Sequence, residues 1–147
     1  MNTHRILVAA AAVAALGTQW PIASAQDNPS SVDIVRGTHD GHRYQNGGIS
    51  KEQVADLRHH MNPYDLHLTF SEGRHNAYVA GLELSITNEK GERVFDLQDA
   101  GPLTDVNLPA GHYRVVADFG GVKRSGSVDV KPGEPTDLYL HWPKDET

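Results

Sequence analysis

The chain of 147 residues contains no cysteine. That absence excludes disulfide bonds, a thiol nucleophile and a lipid-modified cysteine, so packing alone must hold the fold. Tryptophan is scarce, and Trp142 is the only copy beyond the N-terminal segment that carries Trp20. Basic residues are outnumbered by acidic ones, 13 to 19, for a formal net charge of −6. A nucleic-acid footprint needs clustered Lys and Arg, and a membrane-surface patch needs a polybasic run; neither is present. Also missing are a His-Glu-x-x-His pair, a phosphate loop, a dinucleotide-binding glycine pattern and a Gly-x-Ser-x-Gly elbow. No catalytic residue and no cofactor is therefore assigned, and the chain is read as a non-enzyme. A triad of scattered side chains is defined in space and leaves no such trace.

One apolar run stands out. His4 and Arg5 precede Ile6 to Leu16, and Ala23-Ser24-Ala25 follows. The run is too short to span a bilayer, and the small-x-small triplet has the form that signal peptidases cut. Residues 1–25 are read as a signal peptide, with cleavage after Ala25 giving a periplasmic or secreted product. Loss of Arg5 takes the formal charge to −7. The remaining length suits one domain rather than two.

From Gln26 to Gly48 the sequence is polar and rich in turn formers, so residues 26–48 are expected to form a flexible leader, with Val32, Ile34 and Val35 offering at most a short edge strand. Order is expected from Ile49. Ser50 with Gln53 three residues on is a capping box, and Val54, Leu57 and Met61 form one apolar stripe of a helix that Pro63 ends. Tyr64, Leu66, Leu68 and Phe70 then alternate with Asp65, His67 and Thr69, which predicts a strand with its histidine on the polar side. Tyr78, Ala80, Leu82, Leu84 and Ile86 continue the alternation, leaving Val79 outward unless Gly81 marks a bulge or the leader covers it.

The turns are equally legible. Asn88-Glu-Lys-Gly91 predicts a hairpin into a strand from Arg93, and Asp99 to Pro102 breaks the chain. Leu108-Pro-Ala-Gly-His-Tyr-Arg-Val-Val-Ala-Asp-Phe119 combines a turn at Pro109 and Gly111 with a strand burying Tyr113, Val115, Ala117 and Phe119. Gly111 is assigned the left-handed conformation that reverses the chain, and Pro109, Gly111 and Tyr113 are the residues named as structural. Gly120-Gly121 predicts a two-residue hairpin, Lys131-Pro-Gly-Glu134 a type II turn, and Thr136 to Trp142 a last strand with Leu138, Leu140 and Trp142 on one face. About seven strands without helical crossovers specify an all-β fold, a seven-stranded antiparallel β-sandwich preceded by one short helix that caps an edge or open end.

Leu108-Pro-Ala-Gly-His-Tyr-Arg-Val115, with Asn88-Glu-Lys-Gly-Glu-Arg-Val94 before it and a Gly-Gly hairpin after it, resembles the carboxypeptidase regulatory-like domain, a transthyretin-like sandwich of small bacterial exported proteins. The resemblance covers Tyr64 to Trp142, and Gly47 to Ser50 is similar to the helix opening of such proteins. It implies a seven-stranded domain that supports other activities, and it carries over no catalytic residue.

Beyond the first 25 residues the chain holds eight histidines: His39, His42, His59, His60, His67, His75, His112 and His141. His39-Asp-Gly-His42 offers two imidazoles and a carboxylate in one loop, which makes His39 and His42 the candidate ligands for zinc or copper. His59 and His60 are adjacent on a helix and cannot face one site together. His67, His112 and His141 fall on polar strand faces, where solvated histidine is the ordinary outcome. Protonation of all eight would bring the charge to about +1 below roughly pH 6, although surface buffering accounts for them as well. For sugar binding the aromatic supply is Tyr139, Tyr44 and Tyr78. The function expected is a non-catalytic accessory domain that binds another envelope or secreted protein, with metal binding or carbohydrate binding as the competing classes.

Overall fold

The computed structural model describes residues 34–144. The signal segment and the start of the expected leader lie outside them. Ten strands and one helix follow in order: β1 (Val35–His39), β2 (His42–Gly47), α1 (Lys51–His59), β3 (Leu66–Glu72), β4 (Ala77–Tyr78), β5 (Leu82–Asn88), β6 (Arg93–Ala100), β7 (Leu103–Val106), β8 (Gly111–Phe119), β9 (Val122–Val130) and β10 (Thr136–Trp142). They build two sheets. The first runs β1-β2-β7-β3-β10, with β4 added beside β3, and the second runs β6-β5-β8-β9. Alternating side chains from both fill the space between them: Leu66, Leu68 and Phe70 from β3 meet Leu84, Ile86, Tyr113, Val115 and Ala117 from the second sheet.

The all-β, two-sheet reading stands, but four details are corrected. The expected flexible leader is ordered from Val35, because β1 and β2 form a hairpin that β2 joins to β7. Its polar residues misled the sequence reading: Gln45 and Asn46 are buried with hydrogen-bond partners, so polarity there does not mean solvent. Together with the two-residue β4, this hairpin raises the strand count from the expected seven to ten among the described residues. The helix thus lies between β2 and β3 rather than ahead of the sheets. It covers the outer face of the first sheet instead of an edge or open end, since the Gln45 amide donates to Leu57 O at 2.9 Å. Its start is as expected, with Gln53 N donating to Ser50 Oγ at 3.2 Å, while the Gln53 side-chain oxygen accepts from Gly48 N and Ile49 N.

The third correction is one of direction. β10 runs parallel to β3, so the sandwich is not wholly antiparallel. The fourth concerns Leu108 to Ala110. This segment is not a hairpin turn but a crossing between sheets, as β7 lies in the first and β8 in the second. Gly111 consequently has no positive φ and simply opens β8. A similar crossing explains Val79. Gly81, at φ +79°, lets the chain leave β4 in the first sheet and enter β5 in the second, and this rotates Val79 into the core while Tyr78 and Ala80 stay exposed.

Tyr113 anchors the crossing at Leu108 to Ala110. The residue is 8 % exposed, and its hydroxyl donates to Pro109 O at 2.6 Å, tying the first turn of the crossing to the strand that follows. Burial pushes the hydroxyl pKa up from its ordinary value. Tyr113→Ala is expected to destabilise the domain by about 3 kcal/mol or more. Tyr113→Phe, which loses only the hydrogen bond, should cost about 1 kcal/mol. Urea unfolding midpoints unchanged in both variants would contradict this placement.

Candidate functional site

Residues opposite one another on neighbouring strands share a face of the sheet. The registers of the first sheet align Arg36 with Gln45, Gln45 with Asp105, Asp105 with His67 and His67 with Asp137, so one polar row crosses β1, β2, β7, β3 and β10. The row lies on the outer face, opposite Leu66, Leu68 and Val106. Its middle is nonetheless dry: Gln45, Asp105 and His67 are all buried.

Hydrogen bonds run along it. Arg36 Nε donates to Gln45 Oε1 at 3.1 Å, Gln45 Nε2 donates to Asp105 Oδ2 at 2.5 Å, and Asp105 Oδ1 lies 2.8 Å from His67 Nδ1. Helix α1 is fastened to the same row, for Gln45 Nε2 also reaches Leu57 O, and Arg36 pairs with Asp56. The Arg36 hydrogen bond and charge hold the Asp56 carboxyl below its ordinary pKa.

His67 is the titrating centre. Burial alone would push its pKa down, but the hydrogen bond it donates to Asp105 and the charges of Asp105, Asp137 and Asp65 outweigh burial, and the net direction is up. The ring thus has a carboxylate partner at Nδ1, and the other oxygen of that carboxylate is held by Gln45. His67 Nε2 has no partner among the described residues. Because no fully buried side-chain nitrogen or oxygen there lacks a partner, Nε2 must be reached by solvent. A cavity of about 100 Å³ provides the access, lined by His67, Arg58, Tyr78, Asp137 and Tyr139 among others. That is room for about three waters.

A second cavity adjoins it beside α1, and the two make up a groove. Arg58 and Tyr78 are shared with this second cavity of about 460 Å³, which also involves Ile49, Lys51 and Val54. Ile49 and Ala80 also border a third cavity of about 320 Å³, separate from the groove, which holds Val35 on the face of β1 opposite Arg36. Among the described residues, five large apolar side chains stay exposed: Val35, Ile49, Tyr78, Val122 and Tyr139. Ile49, Tyr78 and Tyr139 line this groove.

The residues singled out from sequence fall in several places. His39 Nε2 lies 3.1 Å from Asp96 Oδ1 and 3.3 Å from Asp40 Oδ2, and these three residues place one ligand atom each within 4.8 Å of one another. His42 faces His39 across the hairpin end and is not part of that group. Of the loop that the sequence singles out, His39 and the carboxylate of Asp40 belong to the group, and its third member, Asp96, comes from β6, which no local spacing announces. His59 and His60 stack edge to face at the end of α1, and His112 and His141 are exposed on strands beside Asp129 and Ser71. His67 is a correction, because its polar face is covered by α1 rather than by water. Tyr78 and Tyr139 share one cavity, whereas Tyr44 is half-buried against Phe95. Gln45 and Asp105 were not singled out at all, and only the register reveals them.

No protein-family model matches the chain, and no curated protein is similar enough to count as a relative.

Two outcomes follow from this geometry. His67→Ala leaves Asp105 buried without its counter-charge and is expected to cost about 3 kcal/mol. Since the folded pKa of His67 is raised above its ordinary 6.5, the wild-type advantage should be complete below pH 6.5 and decline as pH rises through the folded value. Urea midpoints of both proteins across that range measure it, and a difference that grows with pH would refute the assignment. For the exposed histidine group, zinc titrated calorimetrically should give equal heats for the wild type and His39→Ala. A heat lost in His39→Ala and Asp96→Ala but kept in His42→Ala would assign a metal there.

Proposed function

We propose that the protein is a non-catalytic accessory β-sandwich domain, exported to the periplasm or beyond, that binds another envelope or secreted protein through the groove beside α1. One observation carries the reading: three of the five exposed large apolar side chains, Ile49, Tyr78 and Tyr139, line the two adjoining cavities that make that groove. Scattered apolar residues are ordinary on a surface, whereas their collection along one concavity marks a binding face. Export is supported by the Ile6 to Leu16 run followed by Ala23-Ser24-Ala25.

The resemblance to carboxypeptidase regulatory-like, transthyretin-like domains is compatible with this role. Between Tyr64 and Trp142 the chain has seven strands of four or more residues in two sheets, and β1 and β2 would be additions to that unit. The His67–Asp105 pair supports a structural rather than a catalytic task. No hydroxyl among the described residues is hydrogen-bonded to His67, so no nucleophile is paired with it.

A photo-crosslinking residue placed at Tyr139 or at Ile49 in the producing cell tests the proposal. A protein adduct of one defined mass from both positions, and none from Val122, is expected. Equal adducts from Val122, or none from the groove, would refute it. In the second case polysaccharide-gel retardation abolished by Tyr139→Ala would transfer the groove to a carbohydrate, the reading that the shared cavity of Tyr78 and Tyr139 favours.

A further inference from the structure

The helix beside the groove sorts its charges between two sides. Asp56 faces β1, where Arg36 pairs with it and His60 lies within 3.4 Å. Lys51, Val54 and Arg58 stand at spacings of three and four, hence on one face of α1, and all three line the groove. Glu52, one residue on from Lys51, belongs to a different face and does not line it.

Lys51 and Arg58 form no ion pair among the described residues. Arg58 borders the same cavity as Asp137 without pairing with it, and its guanidinium donates to the Tyr78 hydroxyl at 3.2 Å. Two uncompensated cations therefore flank an apolar floor of Ile49, Val54, Tyr78 and Pro102. They do so on a protein whose net charge is −6. An exposed cation beside an apolar surface can lay its alkyl stem on that surface and offer its head to an incoming anion. The surrounding acidity disfavours a polyanion, so the complement is a segment with a few carboxylates seated over α1 and apolar side chains between them.

Building on the binding-domain reading above, we propose that the groove's occupant is an acidic, apolar segment of a partner protein, with its carboxylates on Lys51 and Arg58 and its apolar side chains on Ile49, Val54 and Tyr78. Arg58 meets such a carboxylate without leaving Tyr78, because a guanidinium has five N–H donors.

The test uses short fluorescent peptides with the mature protein, read by anisotropy. A peptide alternating leucine with glutamate should bind at least about tenfold more tightly than one alternating leucine with lysine, and added salt should narrow the gap. The double variant Lys51→Glu/Arg58→Glu should reverse that preference. Both residues are exposed, so its thermal midpoint should stay near that of the wild type. Ile49→Asp should weaken the glutamate peptide in a protein whose two cations are intact. Equal affinity for the two peptides, binding of neither, or an unaltered preference in the double variant would overturn the proposal. Capture by anionic phospholipid vesicles that the double variant abolishes would overturn it in favour of a membrane surface. These failures are separable from failure of the broader reading: a crosslinked partner at Ile49 without glutamate preference leaves the binding domain standing and rejects only this chemistry.

Discussion

The buried pair of His67 and Asp105 is the constraint on which the rest of the structure depends. An ionised carboxylate taken out of water costs several kcal/mol unless its lone pairs are met. Here one oxygen takes the imidazole Nδ1–H and the other takes the Gln45 amide. Gln45 also ties the arrangement to Leu57 O, which means that the dry polar row and the docked helix require each other. Without α1 the outer face of β2, β7 and β3 would be wet, and the histidine there would be an ordinary surface group. Without the row, α1 would rest on a sheet face with unmatched polar atoms beneath it.

That mutual requirement shapes the surface. Docking α1 over the first sheet leaves a trough on the side where Tyr78 and Tyr139 project, and Lys51, Val54 and Arg58 become its wall. The opposite side of the helix is closed by Arg36 and Asp56 from the hairpin of β1 and β2. A short helix of nine residues has little stability of its own, so its orientation comes from these contacts rather than from propensity. The groove is thus a consequence of the buried row, and its charge follows from which helix face the row consumes.

What could be read from the sequence depended on whether the deciding physics was local. Alternation in Leu66, Leu68 and Phe70, and in Tyr113, Val115 and Ala117, names core residues because a strand's period is fixed by its backbone. The Ser50 cap and the turn at Asn88 to Gly91 are legible for the same reason: the partners lie within a few residues. Alternation also put His67 correctly on the outer face. It could not say that a helix covers that face, since the cover comes from residues whose docking is a long-range matter. Gln45 lay in a stretch rich in Gly, Asn and His that reads as solvent-exposed, and its burial is decided by Asp105, sixty positions away. The parallel pairing of β10 with β3 was hidden likewise, because strand direction depends on which sheet a connection leads to and not on the composition of the strand. Of the candidate site, the histidines were visible as residues and the groove was not visible at all.

The protonation state of His67 bears most directly on the central relation between row and helix. Nitrogen-detected NMR of the imidazole across a pH titration reads it without mutation. Asp105, with Asp137 and Asp65 behind it, outweighs burial, so His67 is expected to titrate above its ordinary 6.5, with Nδ1–H hydrogen-bonded. A ring that titrates at or below 6.5, or a neutral tautomer with bare Nδ1 near neutrality, would contradict it and leave the helix without its charged foundation.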